Sequence, residues 1–319
     1  MILSRVADAL YWMGRYLERA ENVARLLLVT EDLATEVLGL DEDLARSEWL
    51  DLQRILPGPE PPEAVGRHAG QLAAWYLHAL SIDARHPASV YHSLRQAREN
   101  ARTVREALTV EVFVNLNETY QDLEGHARRR IIDPPAFRGA ITETHRGILA
   151  TVGAIEHTLT RDPSWLFLKL GESLERVFRT ATILRAKVPS LLTPEPKADL
   201  PLVYTRWRAL LRSLSSLENF RQMYGARLEP LDVIQFLLLD PRSPRSVRYG
   251  IATVKDYAER ISGRDGPSPA LRIMGKLDAE LAYQGEDMLR DGDCRPVLDR
   301  VLVEIGRTHE SLSGVYFGT

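Results

Sequence analysis

From Leu3 to Leu38 apolar residues recur at helical spacing: Val6, Leu10, Met13, Leu17, Ala20, Ala24, Leu27 and Leu28. The pattern predicts one long amphipathic helix, with Ser4 as its N-cap and Gly39 just past its end. Proline-rich breaks follow at Leu56-Pro-Gly-Pro-Glu-Pro-Pro62 and at Asp133-Pro-Pro135. Between and after them the periodicity predicts helices at about 42–56, 63–81, 87–109, 110–127 and 136–160. Val110, Val112, Phe113 and Val114 give the fourth of these a locally β-like composition. Arg161-Asp-Pro163 opens a second set, at about 164–187, 202–224, 229–239, 244–262, 268–290 and 296–316. Its breaks are a stretch rich in proline from Pro189 to Pro201, then Asp240-Pro-Arg-Ser-Pro244 and Gly263-Arg-Asp-Gly-Pro267. Strand signals are sparse, so the chain reads as all-α.

The two sets echo one another. Gly14, Leu17, Glu18, Arg19, Ala24 and Leu27 recur 157 residues later as Gly171, Leu174, Glu175, Arg176, Ala181 and Leu184. Leu80, Asp83, Arg85, Pro87, Ser89 and Val90 recur at the same offset as Leu237, Asp240, Arg242, Pro244, Ser246 and Val247. Two motifs at one offset point to duplication of half the chain. The expected architecture is therefore an internally duplicated helical bundle with two similar halves, about 1–160 and 161–319, around a pseudo-twofold axis. No long flexible linker separates the halves, which favours joint packing as one domain over residues 1–319.

The echo nominates polar residues. On a helical wheel with Arg15 at 0°, Tyr11, Glu18, Asn22 and Arg25 fall at about 320°, 300°, 340° and 280°, and Arg19 at about 40°. They form a stripe opposite the apolar face. Three readings stand for this stripe and for Glu175 and Arg176. It is a solvated face laced with helical ion pairs, a buried network between the halves, or the wall of a cleft that binds a ligand or moves a proton. The second motif starts a helix. Pro87 suits a first turn, and Ser243 precedes Pro244 as a natural N-cap. Free N–H groups there, with Arg85 and Ser89 or with Arg242 and Ser246, would cradle an anion, although ordinary capping explains the same residues. Arg98, Arg102 and Arg105 share an i, i+4, i+7 strip with Glu99 and Asn100 beside it; the second half keeps no equivalent, so a function here would be asymmetric.

Charge and composition then narrow the field. A formal net charge of -3 gives no reason to expect nucleic-acid binding. Of 41 basic residues only five are Lys, a bias that fits GC-rich coding and also supplies Arg forks for carboxylates or phosphates. The single Cys294 makes no intrachain disulfide, no apolar run is long enough to span a bilayer, and Arg5, Asp8, Arg15 and Glu18 interrupt any signal-peptide core. A cytoplasmic protein is expected, away from membranes. There is no Glu-x-x-His pair for a di-iron site, no His-Glu-x-x-His, no Walker A loop, no Rossmann fingerprint and no nucleophile elbow. No metal and no cofactor are expected.

Leu3-Ser-Arg-Val-Ala7, Leu10-Tyr-Trp-Met-Gly-Arg-Tyr-Leu-Glu-Arg-Ala-Glu-Asn22 and Ala24-Arg-Leu26 closely resemble the opening of the alpha-E family, a bacterial all-helical domain named for its E-R motif. Ala97-Arg-Glu-Asn-Ala-Arg102, Val104-Arg-Glu106 and Leu116-Asn117 look like its second characteristic stretch, with Phe113 where a Trp is expected. The resemblance covers essentially the whole chain. Members tend to be encoded beside circularly permuted ATP-grasp and transglutaminase-like proteins, which implies amide-bond formation or peptide processing. The resemblance thus implies an accessory component that binds an ATP-grasp-type protein or its peptide substrate, and the paired E-R faces and the Arg strip offer Arg15, Glu18, Arg19, Asn22, Arg25, Arg98, Glu99, Asn100, Arg102, Glu175 and Arg176 as its surface. Two alternatives remain at this point. One is a helical enzyme with Glu18 or Glu175 as proton acceptor; the other is a structural homodimer scaffold.

Overall fold

Side-chain caps open several helices where Asp and Ser stand before an apolar-periodic run. Asp41, Ser89, Asp162 and Ser246 each accept a hydrogen bond from a backbone N–H in the first turn that follows. In the computed structural model, residues 2–128, 134–193, 200–263, 266–288 and 293–318 are described. Thirteen α-helices and no strand occur among them. None of these helices is long and apolar enough to cross a membrane. Parts of three expected breaks, at 133, 194–199 and 264–265, lie outside the described residues.

The chain divides into two compact units, Trp12–Arg161 and Met1–Tyr11 with Asp162–Thr319. The Trp12 unit holds most of α1 (Ser4–Leu38), then α2 (Glu42–Ile55), α3 (Ala69–Ser81), α4 (Val90–Thr103), α5 (Val110–Arg128) and α6 (Pro134–Thr158). Trp49 stacks near Tyr76, with ring centroids 6.2 Å apart. Leu52, Leu72, Leu94, Leu116, Leu123 and Ile148 are buried in the same unit, each contributing about 1.5–3 kcal/mol of hydrophobic stabilisation.

The Asp162 unit holds α7 (Pro163–Leu192), α8 (Leu200–Ser213), α9 (Leu217–Tyr224), α10 (Pro230–Leu239), α11 (Val247–Ser262), α12 (Pro269–Met288) and α13 (Arg295–Leu312). Helix α7 is its centre, packed against α11 and α13. A Cβ on Gly250 would collide with the Val177 side chain, so the missing side chain lets α11 approach α7 closely. Phe220, Tyr224 and Phe236 form an aromatic cluster at α9 and α10.

The helix boundaries differ from the expected ones for local reasons. The helix expected over 202–224 is broken between α8 and α9, where Ser215 takes φ 49° and Ser216 Oγ donates to the Leu214 carbonyl. A short polar side chain tolerates this left-handed geometry better than the bulky neighbours do. Helix α7 runs through Pro189, expected as a loop residue, to Leu192. The Pro189 carbonyl there accepts from both the N–H and the hydroxyl of Thr193. Helix α4 starts only at Val90 because Ser89 caps it, and it ends at Thr103, which leaves Arg105 in a separate 3-10 turn off the Arg98–Arg102 strip. Ser4 is the first residue of α1, not its cap; the Leu3 carbonyl accepts the first helical N–H groups. Gly39 has no left-handed φ, whereas Gly263 ends α11 at φ 57° with its N–H on the Glu259 carbonyl.

Candidate functional site

The E-R helix of the Asp162 unit is α7. Its helical periodicity places Lys169, Glu172 and Arg176 in one row and Glu175 and Arg179 in the next. Lys169 Nζ lies 2.6 Å from a Glu172 oxygen, and Arg176 donates to the other. Arg179 Nε donates to Glu175 at 2.9 Å. Glu172 is 2% exposed and Glu175 0%. Burial pushes the Glu172 carboxyl up, but the Lys169 and Arg176 charges outweigh it and hold the group below the usual carboxylate range. Gly171 sits beside these charges for a steric reason, since a Cβ there would collide with the Tyr11 carbonyl oxygen. The Tyr11 hydroxyl lies 3.0 Å from His309 Nδ1, and its ring packs on Phe317.

In the Trp12 unit, α1 carries the matching stripe. The expectation that this stripe stands opposite the core is corrected: Arg15, Glu18, Asn22 and Arg25 are all buried, as are the apolar residues Met13, Leu17 and Ala24. A helix apolar on one face and paired on the other is covered all round, which a wheel drawn for one face does not reveal. Glu21 bonds both Arg25 and His145 Nε2, the latter at 3.0 Å. The Arg15 guanidinium lies 5.0 Å from the centre of the Trp12 ring, and that of half-buried Arg19 lies 5.1 Å from the Tyr16 ring. Asn22 Oδ1 is buried and accepts no hydrogen bond among the described residues. The Glu21–Arg25 pair follows from i,i+4 spacing, but the contact of Glu21 with His145 was missed by sequence reasoning. Glu21 and His145 are 124 residues apart, and only Glu143-Thr-His145 hinted that the histidine had a carboxylate nearby.

The two Asp-x-Arg-x-Pro-x-Ser stretches build the same local structure. Asp83 accepts from the Arg85 N–H at 2.9 Å and from its Nε at 3.3 Å. Asp240 accepts from the same two groups of Arg242 at 2.8 and 3.2 Å. Ser89 and Ser246 each donate to the carbonyl of that Asp and accept a first-turn N–H, from His92 and Tyr249. Burial raises both carboxyls, yet their hydrogen bonds to Arg85 and Arg242 leave them below the usual range. The groups nominated for anion binding are thus engaged in capping and in local ion pairs.

The α4 strip is partly open to solvent. Arg98 Nε donates to Asn117 Oδ1 at 2.7 Å, and the guanidinium lies 4.9 Å from the centre of the Tyr120 ring. Tyr120 in turn bonds Tyr91 and Glu124, each at 3.1 Å; burial and these partners raise its phenol above the ordinary value. Arg98 and Arg102 share Glu99 at 3.2 and 3.4 Å, and Asn100 Nδ2 donates to the Gln96 carbonyl. The Arg98 side chain is 22% exposed and that of Arg102 57%. Arg105 lies on the Phe113 ring instead. Cys294 is buried, and burial pushes its thiol up to about 11, which makes it a poor nucleophile at neutral pH.

Nearly the whole chain, residues 2–317, matches the Alpha-E family model, described as a predicted alpha-helical domain with a conserved ER motif. A protein of Mycobacterium bovis and two of Mycobacterium tuberculosis, each described as uncharacterized, are 24% identical over 328 residues. Those matches cover 98% of this chain but only 36% of the relatives' length. No solved structure gives a significant match. With the match running almost from end to end, the chain belongs to the Alpha-E family.

Proposed function

We propose that this protein is an accessory, partner-binding component of an ATP-grasp-linked system that forms amide bonds or modifies a peptide in the cytoplasm. The carrying observation is Arg98. Asn117 and Tyr120 hold its guanidinium in place while part of it stays open to solvent. An oriented arginine beside tyrosines is the kind of anchor that dominates protein interfaces. The E-R charges are spent on the fold, since the Glu175 carboxylate is fully buried and bonded to Arg179. That weighs against its use as a proton acceptor for an outside substrate. The relatives supply a second support: a region like this chain makes up about a third of a longer polypeptide there, as suits a component that works with other segments. The reading includes an internal duplication, supported by the 157-residue echo and by the matching caps at Ser89 and Ser246.

The test is a binding titration of the purified protein against the ATP-grasp-type protein encoded nearest to it. Saturable binding is expected, weakened about tenfold or more in an Arg98→Ala/Arg102→Ala double variant. Both sites are partly exposed, so thermal stability should move little. Unchanged binding by a folded double variant, or none by the parent protein, overturns the reading.

A further inference from the structure

Helices α5 and α6 run antiparallel in the Trp12 unit. Thr109 bonds Thr158 at 2.7 Å, and Gly147 meets Thr119 so closely that a Cβ on the glycine would strike the threonine hydroxyl. This register leaves a cleft of about 250 Å³ between the two helices. Asn115, Glu118, Thr119, Asp122 and His126 face it from α5, and Glu143, Thr144 and Gly147 from α6, each set at helical spacing.

Three observations give this cleft a ligand chemistry. First, among the described residues Glu118, Asp122 and Glu143 have no ion-pair partner and no Lys or Arg lines the cleft. Like charges one turn apart weaken a helix, so Glu118 and Asp122 on α5 are a cost without a structural return. Second, Thr144 is 4% exposed yet makes no hydrogen bond among the described residues. Thr119, Thr142, Thr151 and Thr158 on the same two helices each donate to the carbonyl four residues back. Thr144 is the exception, and it lines the cleft. His126, which also lines the cleft, has a buried Nδ1 without a partner among the described residues. Third, the cleft carboxylates form no group of three ligands that could hold a metal ion, among the described residues. One helical turn separates Glu118 from Asp122, a rise of about 6 Å.

We propose that the α5–α6 cleft binds a linear aliphatic diamine or polyamine. One ammonium group would sit at Glu118, and a second between Asp122 and Glu143, where it donates to Thr144. Ammonium groups at the two ends of a thin apolar chain match carboxylates set one helical turn apart, and the small Ala140 and Ala150 side chains in the lining leave room for the methylenes. This inference does not depend on the function proposed above.

Isothermal titration of the whole chain at low ionic strength tests it, with 1,4-diaminobutane as probe and n-butylamine and Mg²⁺ as controls. The diamine is expected to bind at one saturable site, about tenfold or more tighter than either control. Glu118→Gln and Asp122→Asn should each weaken it by about tenfold. Both positions are exposed and the amides keep the shape, so folding is not at risk; circular dichroism verifies this. Thr144→Val should weaken diamine binding as well. No saturable diamine binding, equal binding of Mg²⁺, or indifference to both carboxylate variants would each overturn the proposal.

Discussion

The two E-R helices carry the same motif within different sets of buried ion pairs. On α7 the cations end on carboxylates: Lys169 and Arg176 on Glu172, Arg179 on Glu175. On α1 the i,i+4 pair is Glu21–Arg25, and the same carboxylate also takes His145 from α6, while Arg15 and Arg19 lie near the Trp12 and Tyr16 rings as Arg179 on α7 lies near Phe178. The difference teaches that the motif specifies a buried position more than a particular bond. Wherever it stands, charges must be neutralised inside the protein, and the neighbouring residues decide how. Burying charge is expensive, and such pairs add little net stability, but removing one partner strands the other.

That asymmetry yields the largest expected effect. Glu172→Ala removes the buried carboxylate that both Lys169 and Arg176 contact and should cost about 3–5 kcal/mol in denaturant unfolding. The α7 part of the comparison fails if the loss is below about 1 kcal/mol. The same carboxylate has a pH signature. Its folded pKa lies below the ordinary value, so its contribution is fully present above the carboxylate range and fades as pH falls through the lower folded value. Glu172→Gln should flatten that acid limb in a stability–pH profile.

A smaller effect tests why glycine precedes the charges on α7. Gly171→Val drives a side chain into the Tyr11 carbonyl and should cost about 1–3 kcal/mol or more. Gly275 on α12 has nothing within 4 Å of a Cβ. Gly275→Ala should instead stabilise, by about 0.5–1 kcal/mol. If the two substitutions behave alike in thermal melts, close approach is not the reason for Gly171.

The smallest effect is a control on the comparison itself. Ser89→Ala and Ser246→Ala remove caps that make the same pair of hydrogen bonds in different units. Each should cost about 1 kcal/mol. Equal losses, measured by chemical denaturation, would place the difference between the halves in the E-R helices; unequal losses would spread it through both units.

The all-helical class and most helix positions were legible in the sequence, because apolar period and proline breaks are local signals. The long α1 and the Val110–Val114 stretch of α5 both follow the helical period despite local distractions. What was not legible depends on through-space contact. The wheel put Arg15, Glu18 and Asn22 opposite the apolar face and left open whether that face is solvated or buried; all three are buried, which the pattern of a single helix does not decide. The break at Ser215 turns on one left-handed residue within a continuous pattern. Glu21 and His145 meet across 124 residues of chain. The Arg98 strip could be nominated from spacing, but its ordering by Asn117 and Tyr120 could not.

The buried Cys294 carries a consequence of another kind. Its thiol is screened by the Asp162 unit and, with its pKa near 11, is almost wholly protonated at neutral pH. An alkylating reagent must therefore wait for that part of the unit to open. As the chain holds only one cysteine, the modification rate at high reagent concentration becomes a native stopwatch for opening around the start of α13, with no label added and no residue changed.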